Sequence, residues 1–179
     1  MTPEKSLYDL AARVFAAEQV MLREHFRCVP PIIAYSNRVF YKGGIQPLRI
    51  PKTSERIDPP LVDIYIQDGF RDKHDHNDYE AQAIAEEIAA ILKNEAFEGR
   101  TIGVVSLLGM DQAKHIDSIV RQRCDAAQLL HRKFECGDAR TFQGSERDIM
   151  FLSMVVDNKN CKAVSGNLFD QRFNVAASR

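Results

Sequence analysis

Two arginines are of a type that could stabilise phosphate charge. Arg27 lies where an expected strand gives way to the helix-opening pair Pro30-Pro31, and Arg179 ends an expected helix. A preorganised guanidinium stabilises the charge that builds on non-bridging oxygens during phosphate hydrolysis, and one so placed is worth about 10³ or more in rate. Plainer roles exist for both. Arg27 can pair with Glu24 or a helix end, and Arg179 can serve as a helix-terminal cation. Residue type alone leaves these alternatives open.

A second group surrounds Phe142. Gly144 follows a short expected strand and lets the backbone turn closely past a ligand. Gln143 both donates and accepts. Glu146 offers a carboxylate, either to a ligand or to water. Ser106 ends another expected strand, and Thr141 precedes Phe142-Gln143-Gly144. Both hydroxyls suit phosphate oxygens of a nucleic-acid backbone, a positioning contact without base readout. The basic residues Arg121, Arg123, Arg132 and Lys133 read instead as a solvated helix face.

Other chemistries are poorly served. The sequence contains no G-x-x-x-x-G-K-[ST] loop, no G-x-G-x-x-G after a strand, and no H-E-x-x-H pattern. The usual parts for autonomous nucleotide hydrolysis are thus missing. Cys28, Cys124, Cys136 and Cys161 include no C-x-x-C pair, so they read as reduced thiols rather than zinc ligands. His74-Asp75-His76 sits in a polar stretch and reads as a solvated loop with no metal role. With 24 Lys+Arg against 25 Asp+Glu, the net charge of -1 excludes a purely electrostatic nucleic-acid binder but allows a local basic groove. No run of about 18 apolar residues is present. Nor does Met1-Thr2-Pro3-Glu4-Lys5 open a leader peptide, so an intracellular, cytoplasmic protein is expected.

The elements that must hold these residues follow from periodicity. Helices are expected over Ser6–Ala17, Pro30–Tyr41, Asp78–Lys93, Asp111–Leu130 and Leu168–Ala177. In the third, Ala81, Ile84, Ala85, Ile88, Ile91 and Leu92 form one apolar face. Strands are expected over Gln19–Phe26, Leu61–Ile66, Thr101–Ser106, Phe134–Ala139 and Ile149–Val155, with irregular chain over Ile45–Pro60. Thr101–Ser106 and Ile149–Val155 are apolar without alternation, as strands buried on both faces are. Strands alternating with helices imply an α/β sheet with helices on both faces, and ligands at the carboxyl ends of its strands. Ser106, Arg140–Glu146 and the loop after Val155 occupy those ends.

Four segments, in order, carry a resemblance. They are Glu24-His25-Phe26-Arg27-Cys28-Val29-Pro30-Pro31-Ile32-Ile33; Ile102-Gly103-Val104-Val105-Ser106 with Gln112; Ala139-Arg140-Thr141-Phe142-Gln143-Gly144-Ser145-Glu146-Arg147-Asp148; and Gln171-Arg172-Phe173-Asn174-Val175-Ala176-Ala177-Ser178-Arg179. Together they resemble the second, C-terminal RecA-like domain of superfamily 1 DNA/RNA helicases, in the subgroup of the nonsense-mediated-decay helicase. Two departures are visible. Gln171 stands where that family has an arginine, and Leu107-Leu108 replace a proline and an aromatic.

The resemblance implies a three-layer RecA-like domain over residues 1–179, a P-loop NTPase fold without the P-loop. It implies that Arg27 and Arg179 contact the γ-phosphate, that Glu146 faces the ribose, and that Gln143, Gly144 and Arg172 belong to the nucleotide side. Asn174 would help orient the phosphate-facing arginine. Ser106 and Thr141 would touch single-stranded DNA or RNA. ATP and Mg²⁺ would be shared with a first RecA-like domain, so this chain alone is expected to lack ATPase activity. In the resembling family a further strand follows the last motif. The chain therefore reads as cut at Arg179, leaving a sheet edge open to self-association. The competing reading is a non-catalytic nucleic-acid or protein binding module with a RecA-like fold. An unrelated flavodoxin-like nucleotide domain is a third, weakened by the absent phosphate loop.

Overall fold

The computed structural model describes residues 7–157 and 166–178, with backbone alone at 54, 167 and 168. Arg179, Cys161 and most of the loop after Val155 lie outside the described residues. The elements run α1 (Leu7–Val14), β1 (Glu24–His25), α2 (Pro30–Phe40), β2 (Gln46–Pro47), α3 (Asp78–Lys93), β3 (Ile102–Ser106), α4 (Met110–Arg123), α5 (Ala126–His131), β4 (Glu135–Asp138), β5 (Ile149–Ser153) and α6 (Asn167–Ala176).

The main sheet is parallel, in the order β4-β3-β5. Ser106, which closes β3, stands level with Asp138 of β4 and Ser153 of β5. Residues along β3 alternate between two helical layers, as a strand's two-residue period requires. Ile102 and Val104 pack with Ala81, Ile84, Ala85 and Ile88 of α3 and with Ile116 and Val120 of α4. Val105 and then Leu107 pack with Phe142 and with Ala176 of α6 on the other side. Helices thus cover both faces, and the α/β RecA-like expectation holds. Burying each of the Val, Leu, Ile and Phe side chains contributes about 1.5–3 kcal/mol, and each alanine less.

Side-chain polar groups set the element boundaries. Asn77 Oδ1 caps α3 by accepting from Glu80 N at 3.2 Å. Its main chain is tied to α4, because Gln112 Oε1 accepts from Asn77 N (2.9 Å) and Gln112 Nε2 donates to Asn77 O (3.1 Å). Gln112 is therefore a buried structural residue. Pro30 opens α2, and Gly43, at φ +78°, ends the turn by donating its N–H to Asn37 O at 2.9 Å.

Four expectations need correction. The helix expected over Asp111–Leu130 is two helices, because Asp125 caps a fresh start by accepting from Gln128 N at 3.0 Å. The strand expected over Gln19–Phe26 shrinks to Glu24–His25, and its parallel partner β2 falls within chain read as irregular. Leu61–Ile66 forms no strand and joins no ladder among the described residues, leaving Leu61, Val62, Ile64 and Tyr65 exposed. β-rich composition records a preference for a pleated, half-buried site and does not supply the neighbouring strand.

The fourth correction is Arg132. It is buried, and its Nη1 donates to Phe97 O, so it does not belong to a solvated basic face. The chain reverses at Lys133 (φ +47°), and Arg132 O accepts from Ile102 N at 3.0 Å, drawing the reversal against the start of β3. Among the described residues no helix is long and apolar enough to cross a membrane.

Candidate functional site

The site grows from the turn between β1 and α2. Arg27 leaves the end of β1, and Nε donates to Glu146 Oε2 at 2.9 Å. The Arg27 side chain is 37% exposed and that of Glu146 61% exposed, so the pair lies at an open surface. Glu24, one of the local partners open to Arg27 on the plainer reading, is not the one it meets.

The main chain around Arg27 is held from two sides. Its carbonyl accepts from Arg49 Nη1 at 2.6 Å, and the next amide, Cys28 N, donates to His25 Nε2 at 3.0 Å. Leu48 N donates to His25 O at 2.8 Å, which keeps the segment carrying Arg49 beside β1. Burial, then the nearby positive charge of Arg27, holds the His25 imidazole below its ordinary pKa of 6.5. Neutral imidazole is the form that accepts. Arg49 lies outside the four motif segments, and His25 lies within the first of them but carried no expected role of its own. Their roles arise from the parallel pairing of two two-residue strands.

Glu146 arrives through the loop between β4 and β5. Asp138 Oδ1 accepts from Arg140 N (2.9 Å) and Thr141 N (3.2 Å), turning the chain at the carboxyl end of β4. Phe142 is fully buried between β3 and α6 and anchors the loop. A side chain at Gly103 of β3 would meet Met150 Sδ at 2.6 Å and Phe142 Cε1 at 2.9 Å, so glycine there makes room for this anchor. Gln143 and Gly144 then stand exposed, Gly144 at φ +89°. That backbone conformation favours glycine. Beyond Glu146, Arg147 is fixed by Glu135 Oε2 at 2.5 Å and by Lys133 O at 3.0 Å.

α6 carries the final motif to the same region. Tyr35 of α2 meets Phe173 edge-on, with ring centroids 5.2 Å apart, and Asn174 Nδ2 donates to Tyr41 Oη at 2.8 Å. Asn174 thus docks α6 against the helix that follows Arg27. Arg172 is half-buried on α6. Arg179 lies outside the described residues.

The nucleic-acid candidates are differently placed. Ser106 is 1% exposed, and its Oγ is buried without a hydrogen-bond partner. Thr141 is exposed, its Oγ1 3.5 Å from Asp138 Oδ1. Ser106, Asp138 and Ser153 form a polar row across the carboxyl ends of the three strands. Beside it, α4 begins at Gly109 (φ +125°) with no side-chain cap.

The loop after β5 is held by α3. Glu80 Oε1 accepts from Met154 N at 2.7 Å and Oε2 from Val155 N at 2.9 Å. Val155 is fully buried at φ +60°, a left-handed conformation that is costly for a β-branched residue. Sequence pattern gave no sign of this strain. His74–His76 forms a loop, with His76 stacked on His115 at 4.9 Å. Among the described residues no group of three or more His, Cys, Asp or Glu is arranged to hold a metal ion.

One comparison bears on this arrangement. A family model described as "AAA domain" matches residues 4–179.

Proposed function

The chain belongs to this AAA-domain family, a family of superfamily 1 helicase-type C-terminal domains, and on that premise we propose that it is the second motor half of an ATP-dependent DNA or RNA helicase, in the subgroup of the nonsense-mediated-decay helicase. The observation that carries this reading is the meeting of Arg27 and Glu146. These side chains come from segments 119 residues apart, yet they share one open surface.

Their chemistry fits a nucleoside triphosphate bound against that surface. A guanidinium suits a γ-phosphate in which charge is building, and a carboxylate suits ribose hydroxyls. Arg172 of α6 would join Arg27, and Arg179 would be a second phosphate-contacting arginine. Gln143 and Gly144 would line the approach to Glu146. A first RecA-like domain would supply the P-loop and hold Mg²⁺, which neutralises phosphate charge.

Thr141, with the uncapped start of α4, would touch the backbone of a single strand. Ser106 would join them only if the carboxyl ends of the strands opened. Phosphate contacts of this type accept any base, as a translocating motor requires. Changes in nucleotide state would move the two halves and alternate their grip.

The test is ATP turnover with stoichiometric accounting. The chain alone should be silent, and addition of a P-loop domain from the same parent should give Mg²⁺-dependent, nucleic-acid-stimulated hydrolysis. Robust turnover by the isolated chain would sink the half-motor reading. Failure of the added domain to produce any turnover would favour the non-catalytic binding module.

A further inference from the structure

The peptide bond that follows Arg27 is gripped at both of its polar atoms. Its oxygen, Arg27 O, accepts from Arg49 Nη1 at 2.6 Å, and its nitrogen, Cys28 N, donates to His25 Nε2 at 3.0 Å. Neither bond belongs to the β1–β2 ladder or to α2. Each uses a side chain where a strand or helix would use backbone. With His25 O held on the preceding side by Leu48 N at 2.8 Å, a peptide plane gripped at both polar atoms restricts the backbone angles of Arg27, and with them the direction in which its Cα–Cβ bond leaves the chain.

We propose that His25 and Arg49 are positioning residues for the Arg27 guanidinium, acting as a two-sided clamp on the Arg27–Cys28 peptide. This rests on the half-motor reading for its catalytic consequence. The physical need is clear. An arginine at a surface turn otherwise samples many directions, and misplacement by about 1 Å can cost about 10²-fold in rate. The clamp also has a chemical condition. His25 must be neutral at Nε2, because a protonated imidazole donates from both nitrogens and cannot accept from Cys28 N. The charged groups around the clamp are Arg27 itself, Arg49 from the segment after β2, Glu146 from the β4–β5 loop, and Asp148 from the same loop, which feels the Arg49 charge. Burial and the Arg27 charge both keep His25 neutral near pH 7.

Two measurements on the 179-residue chain separate this inference from the reading beneath it. The first is ATP turnover with the P-loop domain supplied. His25→Ala and Arg49→Ala should lower kcat about tenfold or more while KM stays within about twofold. His25→Gln, which restores a non-titrating acceptor, and Arg49→Lys, which restores one donor, should recover most of the loss. The wild-type kcat should fall on the acid side as His25 takes up a proton, and that limb should vanish in His25→Gln. Wild-type turnover with both alanine variants unimpaired would overturn the clamp.

The second readout needs no nucleotide. By NMR, the Cys28 amide should titrate together with the His25 ring, with a midpoint below 6.5. The Arg27 Nε–H signal should shift or broaden in both alanine variants and return in His25→Gln and Arg49→Lys. An Arg27 signal indifferent to all four substitutions would overturn the clamp even if the wild type shows no turnover, a result that would separately refute the half-motor reading.

Discussion

Arg27 Nε and Glu146 Oε2 meet at 2.9 Å across the boundary between the β1–α2 turn and the β4–β5 loop. The pair is open to water, with side chains 37% and 61% exposed. An ion pair of that exposure contributes about 0–1 kcal/mol to folding. The pair is therefore not needed for stability. Each partner is held in place by something else, Arg27 by the peptide contacts of His25 and Arg49, and Glu146 by the Phe142 anchor. A ligand bringing phosphate and hydroxyl groups can thus exchange with the pair at little cost to the fold.

Substitution of Arg27 separates function from stability. Arg27→Ala should leave the thermal unfolding midpoint almost unchanged, since an exposed pair is worth about 1 kcal/mol at most. In the reconstituted ATPase it should lower kcat by about 10³-fold, the usual value of an arginine finger. Arg27→Lys should recover little, because an ammonium lacks the planar fork. Unfolding melts and single-turnover hydrolysis, run side by side, check both halves. A large drop in midpoint with modest loss of rate would assign Arg27 to the fold instead.

Glu146 should report on nucleotide affinity more than on chemistry. Glu146→Gln keeps shape and loses charge. Loss of hydrogen bonds to a charged group costs about 1.5–3 kcal/mol, so nucleotide affinity should fall by about 10- to 100-fold. That loss should appear mainly in KM, with kcat changed far less. A 2′,3′-dideoxy nucleotide should show a much smaller penalty from the same substitution, because the hydroxyls that Glu146 would contact are gone. Equal penalties with ribose and dideoxyribose would place Glu146 away from the sugar.

The sequence patterns that read well were those whose physics is local. Apolar periodicity identified α3, and an unbroken apolar run identified β3, which is buried throughout. The similar run Ile149–Val155 does form β5, but at the edge of the described sheet Ile149–Leu152 are only half-buried, so its expected burial on both faces is not met. Pro30 and Gly43 marked the two ends of α2 for reasons of dihedral angle alone. What escaped was set by partners far along the chain. Leu61–Ile66 has strand composition but, among the described residues, no neighbouring edge to pair with. Arg132 looked like its exposed basic neighbours and is instead drawn inside by the Phe97 carbonyl. Motif matching drew attention to Arg27 and Glu146, whose side chains lie 2.9 Å apart. It could not find His25 and Arg49 as clamps, since both act on a main-chain peptide and any accepting or donating side chain of the right reach would serve.

Phe142 links that site to the core. It is fully buried, and Gly103 of β3 makes room for its ring. Phe142→Ala should destabilise the domain by about 3–5 kcal/mol through lost transfer energy and a cavity. Gly103→Ala should cost about 1–3 kcal/mol by overpacking against Met150 and Phe142. The less damaging Phe142→Leu is the informative variant. It should remain folded while loosening Gln143–Glu146, and so raise amide hydrogen exchange there without raising it in α3. Uniform exchange changes across both segments would show that the ring supports the whole core and not the loop in particular.

Glu80 gives the sharpest pH test, because its carboxylate is the partner of two backbone amides. Met154 N and Val155 N donate to it at 2.7 and 2.9 Å, and Val155 holds a left-handed conformation at φ +60°. Glu80→Ala strands both donors and should cost about 2–3 kcal/mol in urea unfolding at neutral pH. Glu80→Gln keeps one acceptor and should cost about 1 kcal/mol. Burial pushes the Glu80 carboxyl above its ordinary 4.5, against the opposing pull of the two amides. A raised carboxyl favours the folded protein most when both states are protonated, below 4.5, and that advantage is lost as pH climbs through the folded value. Wild-type stability measured relative to Glu80→Gln should therefore be greatest in acid and should decline above pH 4.5. The subtraction removes the other carboxylates, including Asp148, whose own pKa is lowered. Burial pushes that one up, but Thr101 hydrogen bonds and the charges of Arg100 and Arg49 outweigh it. A relative stability that rises with pH would mean that the two amides, not burial, govern Glu80, and that the strained turn after β5 is held by a carboxylate ionised well into acid.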